Sequence, residues 1–165
     1  AYTFPMSDAA GRVVGIRRRF PNGGKASVKG GKTGLFIPID LGSDGPLLIC
    51  EGPTDTAAAL DLGFHAIGRP NCNSLVETTV KVVKGRTEIV IVADRDAVGI
   101  AGARKLANAI ALHCPRVRII QPPDGIKDLR QWLNQGLTSQ TLQDIVTTLA
   151  PIHVRVSFST KGVRT

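Results

Sequence analysis

At 165 residues the chain suits one domain of ordinary size, or a domain with a small appendage; 42% of it is apolar but only 4% aromatic, so the core must be aliphatic. A net charge of +8 and a pI near 9.9 point to a polyanionic partner, and three scattered cysteines exclude a zinc ribbon and a disulfide framework. No apolar run approaches the roughly 18 residues of a membrane helix and no signal peptide opens the chain, so the expectation is a cytoplasmic protein without a membrane partner.

Residues 1–44 differ from the rest. Arg12, Arg17, Arg18, Arg19, Lys25, Lys29 and Lys32 outnumber Asp8, Asp40 and Asp44, and glycines are frequent. Short β-prone pieces at 12–16 and 34–39 alternate with turns, and Asn22-Gly23-Gly24 is a hairpin signal. The expectation is a small, basic, antiparallel β unit that contacts a nucleic-acid backbone through Arg17, Arg18, Arg19, Lys25, Lys29 and Lys32. A phosphate-loop reading of residues 23–33 fails. The spacing that ends at Gly31-Lys32-Thr33 needs glycine at 26, where Ala26 stands, and a strand-like LFIPID follows where a helix should open.

From Leu47 to Cys50 runs an apolar block without alternation, as in a strand buried on both faces, and Glu51 follows at once. Thr54 or Asp55 is expected to cap a helix over 54–62 that Gly63 ends. After a short strand at 64–67 comes the loop GRPNCNS, expected at the same sheet edge as Glu51, with Arg69, Asn71, Asn73 and Ser74 able to donate to a nucleotide. A helix over 75–84 leads to a second apolar strand, Glu88 to Ala93, which runs into Asp94-Arg95-Asp96. In extended chain Asp94 and Asp96 leave on the same side. A helix over 98–113, a strand over 117–120, the turn Pro122 to Gly125, and helices over 127–134 and 141–149 complete the order. HVRVSFS, residues 153–159, reads as a terminal strand.

Strands alternating with helices predict an α/β fold with a parallel sheet flanked by helices. If the two acidic strands are neighbours, Glu51, Asp94 and Asp96 converge at the carboxyl edge, where open α/β sheets bind ligands. Three gathered carboxylates call for a cation, and oxygen donors favour Mg²⁺, with Mn²⁺ as the alternative. The competing reading is that each acid ends a strand or caps a helix.

CEGPTD at 50–55, ADRDAVG at 93–99 and GIKDLRQWL at 125–133 together resemble the Toprim domain, the metal-binding fold shared by bacterial and phage primases, topoisomerases and some nucleases. The resemblance covers about residues 46–136. It implies that Asp94 and Asp96 bind metal, that Glu51 is a further ligand or the acid/base, and that Asp55 is the second acid of the Glu-Gly-x-x-Asp element. Asp128 becomes another metal-proximal acid and Lys127 a phosphate contact. The Lys-Asp pair followed by Leu-x-x-Trp-Leu resembles primases, particularly those fused to helicases. Tyr2, the only tyrosine, makes a poor topoisomerase nucleophile. Three segments are expected: a basic β-rich 1–44, a catalytic 45–136, and a helix and strand in 137–165. The function implied is Mg²⁺-dependent synthesis of RNA primers from ribonucleoside triphosphates on single-stranded DNA. The chain would be a piece of a longer protein, with a replicative helicase or a helicase domain of the parent chain as further partner. The alternatives are a Toprim nuclease of the overcoming-lysogenization type and a non-catalytic nucleic-acid-binding module.

Overall fold

The computed structural model describes residues 1–152; the terminal strand expected over 153–159 lies outside the described residues. Two sheets form. Strands β1 (Tyr2–Ser7), β2 (Val13–Arg19) and β3 (Lys25–Ser27) make an antiparallel sheet in that order. The expected hairpin joins β2 to β3: Phe20 N–H donates to the Gly24 carbonyl at 2.9 Å, and Gly24 N–H to the Asn22 side chain at 3.1 Å. β1 belongs to the expected basic β unit but lies outside the two pieces singled out in it, and it contains Pro5, which has no N–H. As the outer strand of this sheet, it tolerates the missing donor. The strand expected over 34–39 is a correction. Among the described residues only single bridges form there, Leu35 to Ser7 and Phe36 to Gly68, and they stitch one sheet to the other.

The second sheet is parallel, in the order β5 (His65–Arg69), β4 (Leu47–Glu51), β6 (Glu88–Val92), β7 (Arg116–Ile120). The unbroken apolar runs of β4 and β6 have this cause: each feeds two cores. Leu47, Ile49, Ile89 and Ile91 face one core, shared with Leu106 and Ile110 of α3 (Ala97–Ile110) and with α2 (Val76–Val83). Leu48, Cys50, Val90 and Val92 face the other, with α1 (Gly52–Asp61), α4 (Leu129–Asn134) and α5 (Ser139–Thr148). Aliphatic side chains dominate both layers, as the composition required, with Phe64 and Trp132 joining the second.

The strand order sets the position of the site. From β4 the chain goes by α1 to β5 on one side; from β6 it goes by α3 to β7 on the other. α1 and α3 leave onto opposite faces, so the carboxyl ends of β4 and β6 open a crevice between them. That is the switch point at which doubly wound sheets receive ligands. Pairing of β4 with β6 runs from Leu47–Ile89 to Ile49–Ile91 and goes no further, leaving the last residues of both strands free to diverge.

Candidate active site

Glu51 ends β4 and takes the N-cap position of α1, but its carboxylate makes no capping bond. Helix α1 instead starts through Gly52, whose φ of +80° only glycine adopts easily, and Pro53, which needs no N–H partner there. The expectation that Thr54 or Asp55 caps this helix is thereby corrected. Asp55 lies in the first turn, 6% exposed, and accepts the Arg130 N–H of α4 at 2.9 Å.

β6 stops at Val92, and the chain turns at once: Asp96 N–H donates to the Asp94 carbonyl at 2.9 Å. The backbone between the two aspartates therefore turns at Arg95 and is not extended throughout, as the spacing suggested, although Asp96 itself is extended. Asp94 is half-buried, whereas Asp96 is exposed and caps α3 through the Gly99 N–H at 2.7 Å. Capping is the bland role weighed against a metal, and Asp96 fills it with one of its two oxygens. Asp128 does the same for α4, accepting from Gln131 N–H at 2.7 Å. Neither the Glu51 nor the Asp94 carboxylate accepts a hydrogen bond among the described residues.

These acids feel one another. Burial first, then the charges of Glu51 and Asp128, push Asp94 up to about 6; Lys127 opposes the rise and Asp96 adds to it. Asp55 is pushed up to about 7, again mainly by burial, with Asp128 and Asp94 adding and the Arg130 amide and Arg19 opposing. Four carboxylates therefore bear on Asp94 or Asp55 at one sheet edge. Among the described residues, however, no three such ligands stand close enough to hold an ion by themselves. Asp96 and Asp128 each have one carboxylate oxygen engaged in a helix cap. The donor set still suits Mg²⁺, all oxygen with two carboxylates unengaged, because that ion uses one or two carboxylates and keeps its other positions for water and phosphate.

Arg69 pairs in register with Glu51 and helps line the cleft at this edge with Cys72, Ala93 and Gly99. Its side chain is buried, and Nε and Nη2 both donate to the Ser74 carbonyl, at 3.0 and 2.6 Å. Arg69 thus braces the 69–74 loop, a different employment from the nucleotide contact expected of it. Lys127 is exposed beside Asp94, and Arg19 reaches from β2 to the Thr54 hydroxyl at 3.3 Å, which ties the basic sheet to the site. Arg17 and Arg18 are half-buried; Lys25, Lys29 and Lys32 are exposed. Sequence reasoning passed over Cys72, although its loop was expected at this edge. It also passed over Arg95, whose only signal was its place between two acids.

No protein-family model and no curated protein sequence matches the chain. Solved structures do. A DnaG primase catalytic domain bound to ssDNA is similar over 90% of this chain and 51% of its own, with a TM-score of 0.69 and 18% identity. The E. coli primase catalytic core is similar over 90% and 52%, at 0.68 and 19%. The primase fragment of the bacteriophage T7 primase-helicase protein follows over 86% and 60%, at 0.60 and 16%. The chain spans about half the length of the first two. At these identities the likeness is one of fold: an α/β fold with a parallel sheet and a small antiparallel one, as in bacterial and phage primase cores, which bears out the resemblance seen in the motifs.

Proposed function

We propose that this chain is the nucleotidyl-transfer core of a primase that joins ribonucleotides on single-stranded DNA. The observation that carries the reading is the pair of unengaged carboxylates, Glu51 and Asp94, at the switch point of a fold that primase cores share. Glu51 and Asp94 would hold Mg²⁺, with Asp96 and Asp128 offering the oxygens their caps leave free. When bound, the ion neutralises phosphate charge and aligns nucleophile and leaving group.

The chain's own residues supply the rest. Exposed Lys127 meets the triphosphate, and buried Asp55 fixes the start of α4 through the Arg130 amide. Arg69 holds the cleft wall, and the basic sheet brings the template alongside through Arg19 and its neighbours. A 3′-oxygen, its hydroxyl proton passing to water, forms the new bond to the α-phosphorus as the α–β bridge breaks and pyrophosphate leaves. The ion, the template and the ribonucleotide substrates are all part of this proposal, as is a helicase partner.

Primer synthesis by the longer protein, with and without Asp94→Asn, tests it. Asparagine keeps the size and removes one charge. The expected loss is about a hundredfold or more, since several kcal/mol of charge stabilisation go with the ligand, while template binding stays intact or tightens. Near wild-type synthesis in the variant overturns the site; cutting of DNA without primer synthesis transfers the reading to a nuclease.

A further inference from the structure

Arg95 stands between two aspartates and pairs with neither among the described residues. Its Nη1 donates to the Pro122 carbonyl at 2.5 Å, its Nη2 pairs with the Asp124 carboxylate, and its backbone N–H donates to the Lys127 carbonyl at 2.8 Å. One residue thereby holds both ends of the turn between β7 and α4. Among the described residues the turn's other ties are internal or run to α4: Ile126 N–H to the Pro123 carbonyl at 3.1 Å, and Lys127 N–H to the Gln131 side chain at 2.8 Å. Without the guanidinium, only the Arg95 N–H bond to the Lys127 carbonyl would join this turn to the turn at Asp94 among the described residues.

The contacts differ in weight. Asp124 is almost fully exposed, and an ion pair there contributes little. Pro122 is buried, so the charge-assisted bond to its carbonyl is the stronger one. The planar fork reaches both acceptors at once, which a lysine cannot do.

We infer that Arg95 is a positioning residue that clamps the Pro122–Lys127 turn, so that Lys127 and Asp128 stay beside Asp94 when a nucleotide triphosphate binds. The inference rests on the nucleotidyl-transfer reading for its ligand; the clamp itself does not. Two measurements on the whole chain separate them. Backbone hydrogen exchange at Ile126 and Lys127 reads the clamp. Mg·ATP binding, followed by the fluorescence of Trp132, the only tryptophan, reads its consequence.

Arg95→Ala should speed exchange at both amides and weaken Mg·ATP binding about tenfold, the equivalent of one phosphate contact. Arg95→Lys should fall between, and Asp124→Ala should add nothing in the Arg95→Ala background. Unchanged exchange overturns the clamp. Faster exchange with wild-type affinity overturns the positioning role. A wild-type chain that binds no Mg·ATP sinks the nucleotidyl-transfer reading and the positioning role with it, while the clamp still stands or falls on exchange. Should Arg95→Ala fail to fold, Arg95→Lys, which cannot hold both acceptors at once, decides the same questions by the same two measurements.

Discussion

Asp55 ties the site to the stability of the fold. Its carboxyl, at an ordinary 3.8 when unfolded and about 7 when folded, keeps a proton through a pH range in which the unfolded chain has released it. The stabilisation is therefore complete below about pH 4 and is lost as pH rises through 7. A shift of this size corresponds to roughly 4 kcal/mol. Urea unfolding without divalent ions should show stability falling from pH 4.5 to 7.5, and Asp55→Asn should remove more than half of the fall. The variant keeps an acceptor for the Arg130 amide, so an undiminished slope would mean that burial does not govern this group. Glu51 is the opposite case. With no capping bond to lose, Glu51→Gln should leave stability within about 0.5 kcal/mol of wild type, whereas a structural acid would cost a cap's worth of about 1 kcal/mol.

At the scale of elements, the turn after β6 is kept by a close approach. A Cβ added at Gly99 would lie 2.7 Å from the Asp94 carbonyl oxygen and 3.1 Å from its Cβ. Alanine gains up to about 1 kcal/mol of helix propensity, but backbone cannot yield cheaply, and overpacking of this kind costs about 1–3 kcal/mol. Gly99→Ala should therefore be net destabilising in chemical denaturation and should weaken Mg²⁺-dependent binding of nucleotide; a stabilised variant with unchanged binding would show that the turn yields freely. This turn also marks what the sequence could and could not reveal. β4 and β6 were legible because burial on two faces writes itself as an unbroken apolar run, and Glu51 and Asp94 because each follows such a run. The departure of Asp96 from the face of Asp94 was not legible, because it depends on where the strand stops and the cap of α3 begins. Long-range partners, such as Arg130 for Asp55 and Pro122 for Arg95, leave no local pattern at all. Phe36 was read as part of a strand, although its one bridge, to Gly68, joins the two sheets.

For the molecule as a whole, charge and architecture point the same way. Of the surplus of eight positive charges, four fall in residues 1–44 and three in residues 153–165, whereas the segment that builds the parallel sheet is nearly balanced, with pairs such as Arg118–Glu88. In the basic sheet, alternation along β2 sets Arg17 and Arg19 on one face and Arg18 on the other, where Arg18 lies 5.6 Å from the centre of the Phe20 ring. Arg19 reaches Thr54 beside the site, so its face is the one a template would follow toward Glu51 and Asp94. A side chain that neutralises a phosphate releases counterions and contributes about 0.7 to the slope of log affinity against log salt on a single strand. Replacing Arg17, Arg18 and Arg19 together with alanine should flatten that slope by about 2, and about equally for every sequence, because phosphates carry no base identity. If Arg18 is engaged with Phe20 alone, Arg17→Ala with Arg19→Ala accounts for about 1.4 of the change and Arg18→Ala for almost none. Titrations of unrelated oligonucleotides at several salt concentrations measure both. An unchanged slope in the triple variant would reduce these arginines to a solvated face, and a loss confined to some sequences would mean that the sheet reads bases.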